Sequence, residues 1–137
     1  VLVVEDDDAT RTMMRRQLIG EGCLVAEAEN GKVALERISE FRPDLVLLDL
    51  MMPEMDGFEF IEELRSRPEA ADIPVIVVTA ADLSDADAAR LSGKVDEIVR
   101  KSGRGLEEIG DELRQRVARV VGGGDNAVGD NAEGDVK

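Results

Sequence analysis

The chain alternates between short runs that are apolar throughout and longer segments in which apolar residues recur every three or four positions. Runs without alternation lie at residues 1–4, 45–48 and 75–78, and each predicts a strand buried on both faces. Two further short strands are predicted at residues 23–28 and 97–101. The pattern therefore predicts five strands.

Five helices are predicted in the segments that follow these strands. The apolar positions at helical spacing are Ala9, Met13 or Met14, Leu18 and Ile19 in the first helix, Val33, Ala34, Ile38 and Phe41 in the second, Phe58, Ile61 and Leu64 in the third, and Leu106, Ile109, Leu113, Val117 and Val120 in the last. The fourth helix is predicted over residues 85–91, with Ser84 and Asp87 as its capping box. Asp7 or Asp8 is predicted to cap the first helix.

The order of these elements predicts an α/β fold, because strand and helix alternate five times along the chain. Such an order requires a parallel sheet with right-handed crossovers and helices on both faces. Five strands suit the doubly wound, flavodoxin-like (βα)5 arrangement with strand order 2-1-3-4-5. We expect one domain over residues 1–121, followed by a disordered, acidic, Gly-rich tail over residues 122–137 that has no periodicity.

Composition and charge exclude several classes of function. The 137 residues suffice for one domain, and the near absence of aromatic residues (2%) means that its core must be aliphatic. A net charge of −14 argues against nucleic-acid contact and favours a bound cation or a basic partner. The chain has no histidine, which excludes histidine-based metal sites and catalytic triads. With one cysteine and no apolar run of membrane-spanning length, we expect a cytoplasmic protein without membrane contact.

Polar side chains follow or end four of the predicted strands. Glu5 and Asp6 follow the first strand, Asp49 follows the third, and Thr79 and Lys101 end the fourth and fifth. In the order 2-1-3-4-5 the carboxyl ends of these strands meet at one edge of the sheet. Each residue alone has an ordinary explanation as a helix cap or a turn residue. Their coincidence at four strand ends favours a functional site.

The chemistry of this set points to phosphoryl transfer. Three neighbouring carboxylates repel one another, and a divalent cation such as Mg²⁺, which prefers oxygen ligands and is often completed by phosphate, compensates them. Asp49 is then a candidate nucleophile toward phosphorus, because carboxylates can form acyl phosphates. The Lys101 ammonium and the Thr79 hydroxyl are suited to stabilise the oxygens of the transferred group.

The motifs LVVEDD, LLDLMMPEMDG and VIVVTA, with the lysine at the end of the fifth strand, resemble the receiver domain of bacterial two-component response regulators. The resemblance covers about residues 1–121. It implies that Asp49 is the phosphoacceptor, that Thr79 follows the phosphoryl group, and that Lys101 pairs with it. It also implies a bound Mg²⁺ held directly by Asp6, through water by Glu5, by Asp49, and by the main-chain carbonyl of Met51.

The same resemblance implies partners. A histidine kinase, either separate or in the same polypeptide, is expected to supply the phosphoryl group from a phosphohistidine. The domain would then phosphorylate itself and would not be an enzyme with a separate substrate. The stretch LSGKVDEIVRKS is similar to receivers attached to hybrid sensor kinases, so the parent chain could be such a kinase. Formation of a homodimer is left open.

Two departures from the family pattern keep an alternative open. Ile98 stands where the family usually has an aromatic switch residue, and Ser102 stands where it usually has proline after the lysine. We therefore expect a trans bond or an altered loop after Lys101, and a binding module that does not use phosphorylation is the first alternative. A phosphatase of the haloacid-dehalogenase type is a remote one, because Leu50 and Met51 follow Asp49 where that motif needs a second aspartate.

Overall fold

Strands and helices alternate strictly in the computed structural model, which describes residues 1–52, 55–80, 82–101 and 103–122. The elements are β1 (Leu2–Val4), α1 (Asp8–Gly20), β2 (Ala26–Ala28), α2 (Gly31–Glu40), β3 (Val46–Leu48), α3 (Gly57–Ser66), β4 (Val75–Thr79), α4 (Asp85–Leu91), β5 (Glu97–Arg100) and α5 (Leu106–Gly122). All strand pairs are parallel, and the order in the sheet is β2-β1-β3-β4-β5. The predicted fold class and strand order are confirmed.

The sheet separates two apolar layers, which is why its central strands lack alternation. In β1, Leu2 and Val4 pack into the layer formed with α2, α3 and the end of α4, whereas Val3 packs into the layer formed with α1 and α5. All residues of β1, β3 and β4 are buried. The sheet is thus covered on both sides, and its polar strand ends are left as the place for a site.

Side-chain caps begin four of the helices. Each cap accepts a hydrogen bond from the amide three residues later, in the pairs Asp7 with Thr10, Asn30 with Val33, Asp56 with Glu59, and Ser84 with Asp87. The predicted box at Ser84 and Asp87 is confirmed, and Asp7, one of the two candidates, caps α1. A cap of this kind stabilises a helix by about 1 kcal/mol.

The buried face of α1 differs from the predicted one. Thr10, Met14 and Leu18 are buried, whereas Ala9 is exposed and Ile19 is 53% exposed. Because Thr10 is polar, the apolar pattern does not predict its burial. Its hydroxyl donates to the Asp7 carboxylate at 2.6 Å, which satisfies this buried polar group. The predicted helix is correct, and its predicted face was wrong at these two positions.

The face of α3 is also shifted. Gly57, Phe60, Ile61 and Leu64 are buried at helical spacing, and Phe58 is only half-buried. The prediction placed Phe58 inward together with Ile61 and Leu64, which recur every three residues. The four buried residues stand at positions i, i+3, i+4 and i+7 and so share one face, and Phe58 lies beside that face.

Three apolar residues predicted to lie in strands or helical stripes are exposed. Leu24 is 91% exposed because β2 begins only at Ala26, later than the predicted residue 23. Phe41 is the C-cap of α2 and is 39% exposed, and Leu106, the first residue of α5, is 43% exposed. All three lie at or beyond the end of an element, where apolar periodicity alone does not locate the boundary.

The longest helix, α5, closes the described part of the chain. Ile109, Leu113 and Val117 are buried on one face, as predicted. Neither α5 nor any other helix within the described ranges is long and apolar enough to cross a membrane. The tail predicted over residues 122–137 lies outside the described residues except for Gly122, so the domain boundary stays a prediction.

Candidate functional site

Three of the predicted site residues follow a strand directly and extend its hydrogen-bond ladder. The amide of Glu5 donates to β2 at 3.0 Å, the amide of Asp49 donates to β1 at 3.0 Å, and the amide of Lys101 donates to β4 at 2.9 Å. The sheet therefore holds the amides of these residues and places their side chains at its carboxyl edge.

These side chains converge at the carboxyl edge of the sheet. One carboxylate oxygen from each of Glu5, Asp6 and Asp49 lies within 4.8 Å of the others. The Lys101 ammonium lies 2.7 Å from Glu5 Oε1 and 3.5 Å from Asp49 Oδ2. Glu5 and Asp49 are buried, and Asp6 is exposed. The structure thus brings together the three carboxylates and the cation that the sequence assigned to one site.

The two remaining predicted site residues border this cluster. Thr79 is the last residue of β4 and is fully buried, and its main-chain carbonyl accepts the Lys101 amide. The amide of Met51 donates to Asp49 Oδ1 at 3.2 Å, while the Met51 side chain is 63% exposed. The loop after β3 therefore orients the Asp49 carboxylate through its main chain.

Burial dominates the electrostatics of Glu5. It raises the pKa of this carboxyl from 4.5 to about 7, and the charge of Asp49 acts in the same direction. The hydrogen bond from Lys101 lowers the pKa of Glu5, as does the Asp7 amide, which donates to Glu5 Oε2 at 3.1 Å. The lysine thus offsets the burial of Glu5 only in part.

The donor set fits a divalent metal ion. Two buried carboxylates and one exposed carboxylate present oxygen atoms at mutual distances that a single cation can span. Hard cations such as Mg²⁺ take oxygen ligands and commonly retain water, and the exposure of Asp6 leaves one side of the cluster open to water. Positive charge at this point would also offset the incomplete compensation of Glu5.

A close approach of α3 fixes the loop that carries Asp49. The Gly57 amide donates to the Leu50 carbonyl at 3.0 Å. A Cβ atom at Gly57 would lie 2.6 Å from Leu50 Cα and 2.9 Å from the Asp49 carbonyl oxygen. Only glycine fits here, so the start of α3 rests directly against the backbone of the site.

Of the two departures from the family pattern, Ile98 and Ser102, the structure describes only the first. Ile98 lies in β5, is half-buried, and packs against the apolar layer that contains Leu91 at the end of α4. An aliphatic contact thus occupies the position of the usual aromatic switch. Ser102 and the peptide bond expected to be trans lie outside the described residues.

Sequence reasoning missed Arg11, which contacts the backbone of the site. Its Nη1 donates to the main-chain oxygen of Glu5 at 2.8 Å, and its Nε donates to Glu27 Oε1 at 3.1 Å. Arg15 and Arg16 follow in the same helix, so nothing in the local pattern distinguishes Arg11 from them. The contact depends on the position of β2 beside β1, which only the folded chain provides.

Residues 1–114 match the family model described as the response regulator receiver domain. The chain belongs to this family. This receiver is 38% identical over 132 residues to the response regulator MprA of Mycolicibacterium vanbaalenii. The match covers 96% of this chain and 55% of that protein, so the receiver spans about half the length of its curated relative.

Solved structures agree with this assignment. The receiver domain of a signal transduction histidine kinase from Syntrophus aciditrophicus matches with a TM-score of 0.77 and 27% identity, covering 99% of this chain and 96% of that chain. The response regulator TrrA of Thermotoga maritima, solved in complex with Mg²⁺ and BeF, matches with a TM-score of 0.72 and 34% identity. This match covers 87% of this chain and 96% of that chain.

The family assignment confirms the predicted function, a phosphoacceptor receiver domain in two-component signalling. Receiver domains of this kind interact with histidine kinases. The match to the receiver family also rules against a phosphatase of the haloacid-dehalogenase type.

Proposed function

We propose that this receiver accepts a phosphoryl group on Asp49 from the phosphohistidine of a histidine kinase, with Mg²⁺ bound beside it. The observation that carries the proposal is the position of the Asp49 carboxylate, which lies in a cluster with Glu5 and Asp6 and 3.5 Å from the Lys101 ammonium. A nucleophilic carboxylate between a cation site and a fixed ammonium is the arrangement that phosphoryl transfer requires.

The metal ligands follow from the cluster and from the family resemblance. By the family resemblance, Asp6 and Asp49 would hold Mg²⁺ directly, Glu5 would hold it through water, and the main-chain carbonyl of Met51 would complete the protein ligands. Bound there, Mg²⁺ supplies charge neutralisation to the phosphoryl oxygens. The complex of TrrA with Mg²⁺ and BeF supports this choice of metal.

The proposed step exchanges one bond of phosphorus for another. An Asp49 carboxylate oxygen forms a bond to phosphorus while the bond from phosphorus to the donor imidazole nitrogen breaks, and that nitrogen keeps the electron pair. Lys101 then pairs with a phosphoryl oxygen, and the Thr79 hydroxyl donates to another. The added charge of about −1.5 to −2 shifts a pre-existing equilibrium in the loops after β3 and β4.

The proposed partner is a histidine kinase, separate or in the same polypeptide. The structural match to the receiver domain of a histidine kinase supports the second arrangement, and the match to MprA supports the first. In either case the domain modifies itself and has no separate substrate. The proposal does not require a homodimer.

The proposal is tested with acetyl phosphate as a small phosphoryl donor. The chain is incubated with acetyl phosphate and Mg²⁺, and its intact mass is measured before and after treatment with hydroxylamine, which cleaves acyl phosphates. We expect a phosphoryl adduct that disappears with hydroxylamine and that does not form when a chelator removes Mg²⁺.

Asp49→Asn is the decisive variant, and Asp44→Asn is its matched control. Asp44 is an exposed aspartate that precedes the same strand, at the opposite edge of the sheet. Asp44→Asn should retain the adduct, and Asp49→Asn should lose it. An adduct that persists in Asp49→Asn makes the site assignment wrong, and no adduct on the unmodified chain favours the binding module that does not use phosphorylation.

A further inference from the structure

Arg11, in the first turn of α1, joins three segments around the acidic cluster. Its guanidinium donates to the main-chain oxygen of Glu5 at 2.8 Å and to Glu27 Oε1 on β2 at 3.1 Å. It also pairs with Asp8 on its own helix. The Arg11 side chain is only 18% exposed, so its planar guanidinium group is held in one arrangement between the two strands and the helix.

The Glu5 carbonyl group connects the two neighbouring residues, Glu5 and Asp6, that supply carboxylates to the cluster. It belongs to the peptide group between Glu5 and Asp6, and a peptide group is planar. The carbonyl oxygen therefore lies in one plane with the two Cα atoms that bear the Glu5 and Asp6 carboxylates. A donor that holds this oxygen restrains rotation of the plane, and with it the directions in which the Glu5 and Asp6 side chains leave the backbone.

We propose that Arg11 is a positioning residue for Mg²⁺, which orients the peptide group between Glu5 and Asp6 so that both carboxylates meet the metal ion. This inference rests on the proposed function, because it concerns the ligands of the proposed metal. Arg11 acts through main-chain geometry and contributes no ligand atom. Its link to Glu27 ties the loop after β1 to the neighbouring strand β2.

Positioning and charge make opposite predictions for this residue. Arg11 is a cation near a cation site, so its charge alone repels Mg²⁺, and its removal would strengthen binding. Loss of an outer contact that orients ligands instead weakens metal binding, typically about tenfold or more. The sign of the change in Mg²⁺ affinity therefore separates the two effects.

Arg15 provides a matched control. It lies one helical turn after Arg11, and its Nε pairs with the same Glu27 carboxylate, at 3.4 Å from Oε2. Arg15→Met removes the same charge from the same helix and the same partner. It leaves the bond to the Glu5 carbonyl intact, since that bond belongs to Arg11.

The experiment measures Mg²⁺ binding by calorimetric titration of the full chain and its variants. We expect Arg11→Met to bind about tenfold more weakly and Arg15→Met to bind as tightly as the unmodified chain or slightly more tightly. Arg11→Lys keeps the charge and a single donating group, so we expect an affinity between those of Arg11→Met and the unmodified chain. Urea denaturation of each variant identifies any loss that comes from unfolding.

A second readout needs no metal. In Mg²⁺-free buffer, amide hydrogen exchange at residues 5–7 should be faster in Arg11→Met than in the unmodified chain, while exchange in α5 stays the same. A role of Arg11 in overall stability alone would accelerate exchange in both regions.

Several outcomes would overturn the inference. Mg²⁺ binding by Arg11→Met that equals or exceeds that of the unmodified chain would do so, and so would an equal loss in Arg15→Met. If Arg11→Met does not fold, Arg11→Lys decides, because a charge effect predicts unchanged affinity and positioning predicts weaker binding. Absence of Mg²⁺ binding by the unmodified chain would instead refute the proposed function.

Discussion

The ammonium of Lys101 lies closer to the carboxylate of Glu5, at 2.7 Å, than to that of Asp49, at 3.5 Å. Before phosphorylation, the lysine is therefore engaged mainly by the acid at the end of β1. The proposed phosphoryl group on Asp49 would bring oxygens that compete for the same ammonium. Lys101 would thus link the state of Asp49 to the strand that precedes Glu5 and Asp6, two of the proposed metal ligands.

Lys101→Met should weaken binding of a phosphoryl mimic. At saturating Mg²⁺, we expect the affinity for beryllofluoride to fall by about tenfold or more, because a hydrogen bond to a charged group contributes about 1.5–3 kcal/mol. Amide chemical shifts during a beryllofluoride titration measure the change. Lys94→Met, which removes the same charge from the loop before β5, should bind like the unmodified chain, and equal losses in both variants would contradict a local role.

Gly57→Ala should destabilise the fold at the site. Its Cβ would meet Leu50 Cα at 2.6 Å and the Asp49 carbonyl oxygen at 2.9 Å, and neither backbone atom can move without displacing the loop. We expect the free energy of unfolding in urea to fall by about 2 kcal/mol. Gly20→Ala is the control, because a Cβ there meets nothing within 4 Å and alanine favours the helix by up to about 1 kcal/mol.

Arg90→Ala should loosen α4. Leu91 is the one buried residue of this helix, and Arg90 adds two contacts to α3, with its Cζ 4.4 Å above the centre of the Phe58 ring and its Nη2 3.1 Å from Glu62 Oε2. Contacts of this kind at the surface contribute about 1 kcal/mol together. We expect amide hydrogen exchange across residues 85–91 to accelerate about fivefold by mass spectrometry.

Arg67→Ala is the control for this change, since it removes the same charge at the C-cap of α3. It should leave exchange in α4 unchanged. If Arg90→Ala gave the same exchange rates as the unmodified chain, Leu91 alone would hold the helix, and the contacts with Phe58 and Glu62 would contribute nothing measurable.

Glu112→Gln should lower stability in a pH-dependent way. Burial raises the pKa of this carboxyl, but Arg104 at 2.5 Å and Arg116 at 3.0 Å outweigh it, so the pKa of Glu112 lies below its ordinary value. The charged form is therefore favoured in the folded state. We expect the free energy of unfolding to fall by about 1 kcal/mol at pH 7.

The difference in the free energy of unfolding between Glu112→Gln and the unmodified chain should disappear on acidification. A carboxyl whose pKa is lowered by folding stabilises fully above its ordinary pKa, and this stabilisation is lost as the pH falls through the lowered value. Urea denaturation from pH 7 downward measures the change. Glu108→Gln is the control, because Glu108 is 65% exposed and lies 3.6 Å from Arg104. A constant difference at all pH values would contradict the role of charge.

The sheet and the acidic cluster were predictable because both follow from local patterns. Apolar runs that end on Glu5, Asp49 and Thr79 predict buried strands, and the topology of a parallel sheet brings their ends together. Lys101 was predictable for the same reason, since it follows β5 directly. Neither inference needs a contact between distant side chains.

The features that sequence did not predict depend on such contacts. Arg11 touches the Glu5 backbone and Arg90 lies over Phe58, and neither arginine stands in a pattern that differs from other helical arginines. Phe60 and not Phe58 is the buried ring of α3, and each of them lies at helical spacing from Ile61 or Leu64, so only packing against the sheet chooses between them.

The ladder bonds that hold Glu5, Asp49 and Lys101 are made by amides, so any amino acid except proline could form them. The scaffold of this edge is thus independent of the chemistry it displays. Replacing these three side chains by design would therefore leave their backbone positions aligned. Natural substitutions here could likewise change the reactivity of the site without changing the backbone.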